Sequence, residues 1–143
     1  MCLKIQNISF NKQCQQKVYK VVELNNGEMN SPYKLFEWKI GHNVSSRETL
    51  ELNDDEDYDG VVHKGFHFFV NVMDAFHDIH YMNDIRNYCT TFAVLECIVD
   101  PENYVAEGIF EGIPFYEVPD AKCVVYTKCE VRRILYKVES TLS

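Results

Sequence analysis

Between Val61 and Met82 the spacing of apolar residues changes from two to about 3.6. A chain can follow both periods only by passing from an extended strand into a helix. The segment His63-Lys64-Gly65-Phe66-His67-Phe68-Phe69-Val70 is aromatic and β-branched, which suits a pleated, half-buried surface. Gly65 within it marks a bulge or a close backbone approach. Asn71 reads as a helix N-cap, with Asp74 three positions on as an acidic capping-box partner. Val72, Ala75, Phe76, Ile79 and Met82 then share one face, so the spacing predicts a helix over 71–82. Asp74 and Asp78 fall near its start, where the macrodipole favours negative charge.

Four of the five histidines lie in this stretch. His77 and His80 share a helix face, and His63 and His67 share a sheet face. One reading is a small metal or acid–base site where strand meets helix. The other is a polar rim with one hydrogen-bonded core histidine. No spacing matches the HExxH helix motif or a Cys/His zinc module, so no metal ligand set and no cofactor is assigned.

Further along, Thr91–Val99 is almost wholly apolar and belongs in the middle of a sheet. Glu96 interrupts it. A carboxylate there must pair, face water or shift its pKa. That makes Glu96 a site candidate, with a cross-strand Lys or Arg as the plainer explanation. Val18–Leu24 reads as a strand closed by the turn Asn25-Asn26-Gly27. Leu35–Ile40 reads as a strand ended by Gly41, and it carries the only tryptophan, Trp38. Residues 2–10 make an edge strand, and Asp100-Pro101-Glu102-Asn103 a turn. Tyr104–Phe110 is a strand with a bulge at Gly108, and residues 111–120 a loop with Pro114 and Pro119. Ala121–Tyr136 reads as one half-buried strand, with Cys123, Val125, Thr127, Cys129 and Val131 on its dry side. The expected architecture is α+β, with five to seven mostly antiparallel strands and one main helix. The strands form a curved sheet or a partly open barrel.

At 143 residues the chain makes one domain, with its core over about 17–136. No apolar run has the length of a membrane span, and MCLKIQNISF lacks a secretory signal. The expected location is cytoplasmic. The six cysteines, with no CxxC, are then reduced thiols. Cys2 would become N-terminal if Met1 were removed, but no base or oxyanion site accompanies it. The net charge of −8 is unevenly placed. Residues 1–50 carry seven Lys/Arg against four acids, and residues 51–143 carry seven against eighteen. An acidic body argues against a duplex nucleic acid partner, whose phosphates need clustered Lys and Arg.

The acidic loop 53–60 places Asp55, Asp57, Asp59 and Gly60 at positions 1, 3, 5 and 6 of an EF-hand loop. Position 12 is Phe66 rather than glutamate, so the bidentate ligand is missing and a solvated loop is the default. Arg47 follows Ser45 and Ser46, where its fork could hold a phosphate or a carboxylate.

The motifs Ser31-Pro32-Tyr33, Phe36, Trp38, Gly41, Arg47, Gly65-Phe66-His67-Phe68-Phe69, Val105-Ala106-Glu107-Gly108 and Val124-Val125-Tyr126-Thr127-Lys128 carry a resemblance over most of residues 18–135. The chain resembles a family of small fish and other animal proteins to which no activity is attached. More distantly, the Gly-Phe-His element resembles phage domains, some of which sequester cyclic nucleotide immune signals. That likeness implies Arg47, Phe66 and His67 as pocket residues.

These readings converge on a non-enzymatic intracellular binding domain. It would take a small anionic, nucleotide-like ligand or a protein partner at the strand–helix corner, with Arg47, Phe66, His67, Trp38 and Glu96 as site residues. Two alternatives stand beside it. One is a small hydrolase or transferase using His67 or His77 with Glu96. The other is an assembly module, a homo-oligomer among its forms, that binds through an unpaired sheet edge. No membrane partner is expected.

Overall fold

A computed structural model describes residues 3–31, 36–45, 65–85 and 90–139. Arg47, His63 and the acidic loop 53–60 lie outside the described residues.

The chain folds as α+β, with one helix on a mainly antiparallel sheet of ten strands. The strands are β1 (Leu3–Ile5), β2 (Gln16–Asn25), β3 (Glu28–Asn30), β4 (Glu37–Trp38), β5 (Gly41–Val44), β6 (Phe66–Phe69), β7 (Thr91–Val99), β8 (Tyr104–Phe110), β9 (Ala121–Tyr126) and β10 (Lys128–Glu139). The helix α1 spans Val72–Ile85. Ten strands exceed the expected five to seven. The excess comes from β3 and β5, each too short to carry a period, and from a break in the segment read as Ala121–Tyr136; β4 lies within the expected Leu35–Ile40.

That break sits at Thr127. Strand order is β1-β8-β9-β6-β2-β7-β10-β5, so β9 and β10 flank the three strands β6, β2 and β7. In a flat sheet four spacings of about 4.8 Å would part them by roughly 19 Å. Tyr126 and Lys128 are two residues apart and can be separated by at most about 7 Å. The sheet must therefore curl until both sides meet at Thr127. The corner is pinned from both sides: Thr127 N–H donates to the Asn103 carbonyl at 2.9 Å, and its carbonyl accepts from Ser45 N–H at 2.8 Å. The sheet stays open, because the terminal strands β1 and β5 do not pair with each other.

The bend also changes which side is dry. Cys123 and Val125 pack in the cluster under α1, with Val21, Phe69, Phe92, Val94, Ile79 and Met82. Cys129 and Val131 pack in the other cluster, with Val18, Val22, Trp38, Phe66, Phe68, Leu95, Cys97 and Tyr126. A straight strand would keep 123, 125, 129 and 131 on one face. β9 has no wet face, since Val124 and Tyr126 are buried as well.

The edge strand expected over residues 2–10 is confined to Leu3–Ile5. β7 lies between β2 and β10. The β2–β3 turn has Asn26 at φ 51° and Gly27 at φ 83°, the positive pair that Asn-Gly supplies to a type I′ hairpin. Gly65 has φ 91°, and a Cβ there would lie 2.8 Å from the Tyr126 carbonyl oxygen. Close approach is thus its role. Gly108 is likewise a close-approach residue rather than a bulge, because a Cβ would lie 2.2 Å from the Lys4 carbonyl oxygen. The irregularity in β8 falls between Tyr104 and Ala106 instead. Gly41 opens β5 rather than ending a strand. The helix runs three residues past its expected end, to Ile85. No helix among the described residues is long and apolar enough to cross a membrane.

Candidate functional site at the strand–helix corner

β6 feeds α1 through Val70 and Asn71. The Asn71 carbonyl accepts from Asp74 N–H at 3.1 Å, and the Asn71 amide donates to the Asp74 carboxylate at 3.4 Å. Ala75, Ile79 and Met82 face the sheet, and Asp78 is buried among them. Along β6, Phe66 and Phe68 turn to the face away from the helix, while Phe69 turns toward it. His67 alternates with Phe66 and Phe68, so its imidazole goes to the helix side.

Lys20 is the cation of this corner. It lies between Val18 and Val22 on β2, and both of those valines are fully buried. β2 and β6 pair only at Tyr19 opposite Phe69. Beyond that pair the strands part, and the Lys20 ammonium fills the opening. It donates to the His67 carbonyl at 3.0 Å and lies 5.8 Å from the centre of the Trp38 ring. Among the described residues no carboxylate comes within ion-pairing distance of it. Burial lowers the Lys20 pKa, and the field of Asp78 opposes that fall. Burial pushes the Asp78 carboxyl up to about 6, and Lys20 holds it from rising further.

An aromatic cluster extends from Trp38. The Trp38 ring lies 4.5 Å from Phe66, 5.2 Å from Phe36 and 6.1 Å from Phe68. Trp38 Nε1–H donates to Ser31 Oγ at 2.7 Å, which fixes the indole. Phe36 is only half-buried and forms the rim of the cluster.

Of the expected site residues, Trp38 and Phe66 come together here. His67 contributes its carbonyl rather than its imidazole. Glu96 belongs elsewhere: it stands opposite Arg133 in the β7–β10 register. Arg133 Nε donates to Glu96 Oε2 at 3.1 Å, and Lys17 Nζ lies 3.6 Å from Oε1. The cross-strand explanation accounts for this carboxylate. Arg47 lies outside the described residues. His77 and His80 are exposed, and His80 Nε2 lies 3.4 Å from the Tyr136 hydroxyl. Among the described residues no three His, Cys, Asp or Glu side chains group as a metal would need.

Sequence reasoning missed Lys20, Asp78 and Glu107. Lys20 has the parity of two core valines, and Asp78 lies three residues after Ala75 on the buried stripe. Both signals were available. Glu107 is buried on β8 and gathers three donors: Ile8 N–H at 2.9 Å, Lys12 Nζ at 2.9 Å and the Tyr104 hydroxyl at 2.7 Å. Burial would raise its carboxyl, but these donors hold it below its ordinary value. Burial and the bond to Glu107 raise the Tyr104 phenol. The segment 6–15 is thereby tied across β8. Cys14, Cys97, Cys123 and Cys129 are free thiols. A hydrogen bond with Cys129, then burial, raises Cys97 well above its ordinary value, and burial pushes Cys123 up to about 12. Neither is poised as a nucleophile.

Comparison with known proteins gives no match: no family model, curated protein or solved structure is significantly similar to this chain.

Proposed function

We propose that this chain is a non-enzymatic binding domain for a small anionic, nucleotide-like ligand. Lys20 supplies the counter-charge, and half-buried Phe36, at the rim of the buried Trp38–Phe66 pair, supplies a ring surface. One observation carries the reading: a half-buried ammonium beside an indole ring, with no carboxylate in ion-pairing reach among the described residues. Withdrawing a cation from water is costly, the field of Asp78 offsets part of that cost, and a bound anion would offset more. An aromatic base bearing phosphate presents both things the corner offers, negative charge and a flat apolar face. The resemblance to phage domains that sequester cyclic nucleotides points to the same ligand class. In this reading the protein acts in the cytoplasm, where such ligands are made, and Arg47 is a second cation for the phosphate.

Calorimetric titration tests this with mononucleotides, cyclic mono- and dinucleotides, and inorganic phosphate. Wild-type protein binds at least one nucleotide more tightly than phosphate alone. Lys20→Met, shown to be folded by circular dichroism, loses about tenfold or more in affinity. A folded wild type that gives no heat with any of these compounds removes the reading.

A further inference from the structure

The loop between β8 and β9 holds the most exposed large apolar side chain among the described residues, Phe115, at 87% exposure. The loop is built to keep it there. Ile113 and Val118 exchange two backbone hydrogen bonds of 2.8 and 3.1 Å. Gly112 N–H donates to Asp120 Oδ1 at 2.8 Å, and a Cβ on Gly112 would lie 2.1 Å from the Val118 carbonyl oxygen. Pro114 opens a single 3-10 turn over Pro114–Tyr116, which ends on Glu117 at φ 57°, a left-handed conformation unusual for glutamate. Phe115 leans on Tyr116, with ring centres 5.1 Å apart. Tyr116 leans on Tyr81 of α1, also at 5.1 Å. The tip is rigid, aromatic and ringed by three exposed carboxylates, Glu111, Glu117 and Asp120, none of them in an ion pair among the described residues.

The terminal strand β5 and its neighbour β10 carry the complement. Ile40 and Val44, at and beside β5, are 60% and 56% exposed. Lys128 stands opposite Val44 in the register, and Arg132 follows on the same strand. Lys39 and Lys128 are exposed and have no carboxylate partner among the described residues. One surface is thus aromatic and acidic, the other aliphatic and basic.

We propose that the Phe115 tip of one copy docks on the Ile40–Val44–Lys128 edge of a second copy, giving head-to-tail assembly. The ring seats on the two aliphatic side chains, and Glu111, Glu117 and Asp120 meet Lys39 and Lys128, while Arg132 stays paired with Glu130 at 3.4 Å. The rim charge disfavours an anionic membrane as the occupant. A fixed loop loses little freedom on docking, so a small contact suffices for weak association. Because the two surfaces differ, the contact is heterologous and can propagate. The docking does not depend on ligand binding at the Lys20 corner.

Sedimentation velocity from micromolar to millimolar protein tests the proposal. Wild-type mass rises with concentration at low salt, and the rise shrinks in high salt. Phe115→Ala weakens association about tenfold or more, and its exposure means that the fold is unaffected. The paired variant Ile40→Asp/Lys128→Glu has the same effect from the other side. A mixture of the two variants forms one dimer and stops, since only one intact tip and one intact edge can meet. A wild type that stays monomeric throughout, or a Phe115→Ala protein that assembles like wild type, overturns the proposal and leaves the tip to a different protein.

Discussion

Lys20 on β2 and Asp78 on α1 reach the same corner of the sheet, and each moves the other's charge state back from where burial alone would set it. A sheet residue and a helix residue, far apart in the chain, are thus electrostatically one unit. Its behaviour with pH follows.

Asp78 titrates near 3.8 in the unfolded chain and near 6 when folded. Between those values the folded state keeps a proton that the unfolded state has lost. Stability from this group is therefore greatest below about pH 4, falls as pH rises to about 6, and is level above that. A difference of this size amounts to about 2–3 kcal/mol. Urea unfolding of Asp78→Asn from pH 4 to 8 should show that slope flattened, with the variant more stable than wild type at pH 7.

Removing the cation should move the carboxylate. In Lys20→Met the Asp78 midpoint rises above the wild-type value of about 6, because the main charge opposing burial, the Lys20 ammonium, is gone. Carbon-13 NMR of the Asp78 carboxyl reads this directly. An unchanged midpoint would mean the two groups do not share a field.

Glu107 holds segment 6–15 down through three donors. Glu107→Gln removes the charge that strengthens them and should cost about 2 kcal/mol. The same variant should be cut faster by protease within 6–15, while cleavage elsewhere keeps its wild-type rate.

Gly65 combines a positive φ with a carbonyl where a side chain would go. Gly65→Ala should destabilise by about 2–4 kcal/mol and lower the melting temperature accordingly. Gly27→Ala, strained in φ but with open space around it, should cost less.

Periodicity made the corner legible: the aromatic strand, its glycine, Asn71 and the helix stripe are local features, and each follows from residues a few positions apart. The buried β7 was legible for the same reason. The strand count was not, because β3 and β5 are set by the edges they pair with rather than by their own pattern. The bend at Thr127 was hidden too. An alternating run continues through it unbroken, and only the partners on each side reveal that the dry face has changed. For the site, Trp38 and Phe66 stood out as aromatics. Lys20 and Asp78 looked like ordinary charges, because their importance arises from a gap between β2 and β6 that no spacing encodes.

The bend has a consequence for the order in which the fold can be completed. Every partner of β9 and β10 precedes them in the chain. During synthesis, β7 and β6 each wait with one side unclaimed until a single late segment arrives and zips both, turning at Thr127. A ribosome pausing before that segment would leave two sticky flanks bare at once, so this stretch is where slow translation would most invite aggregation.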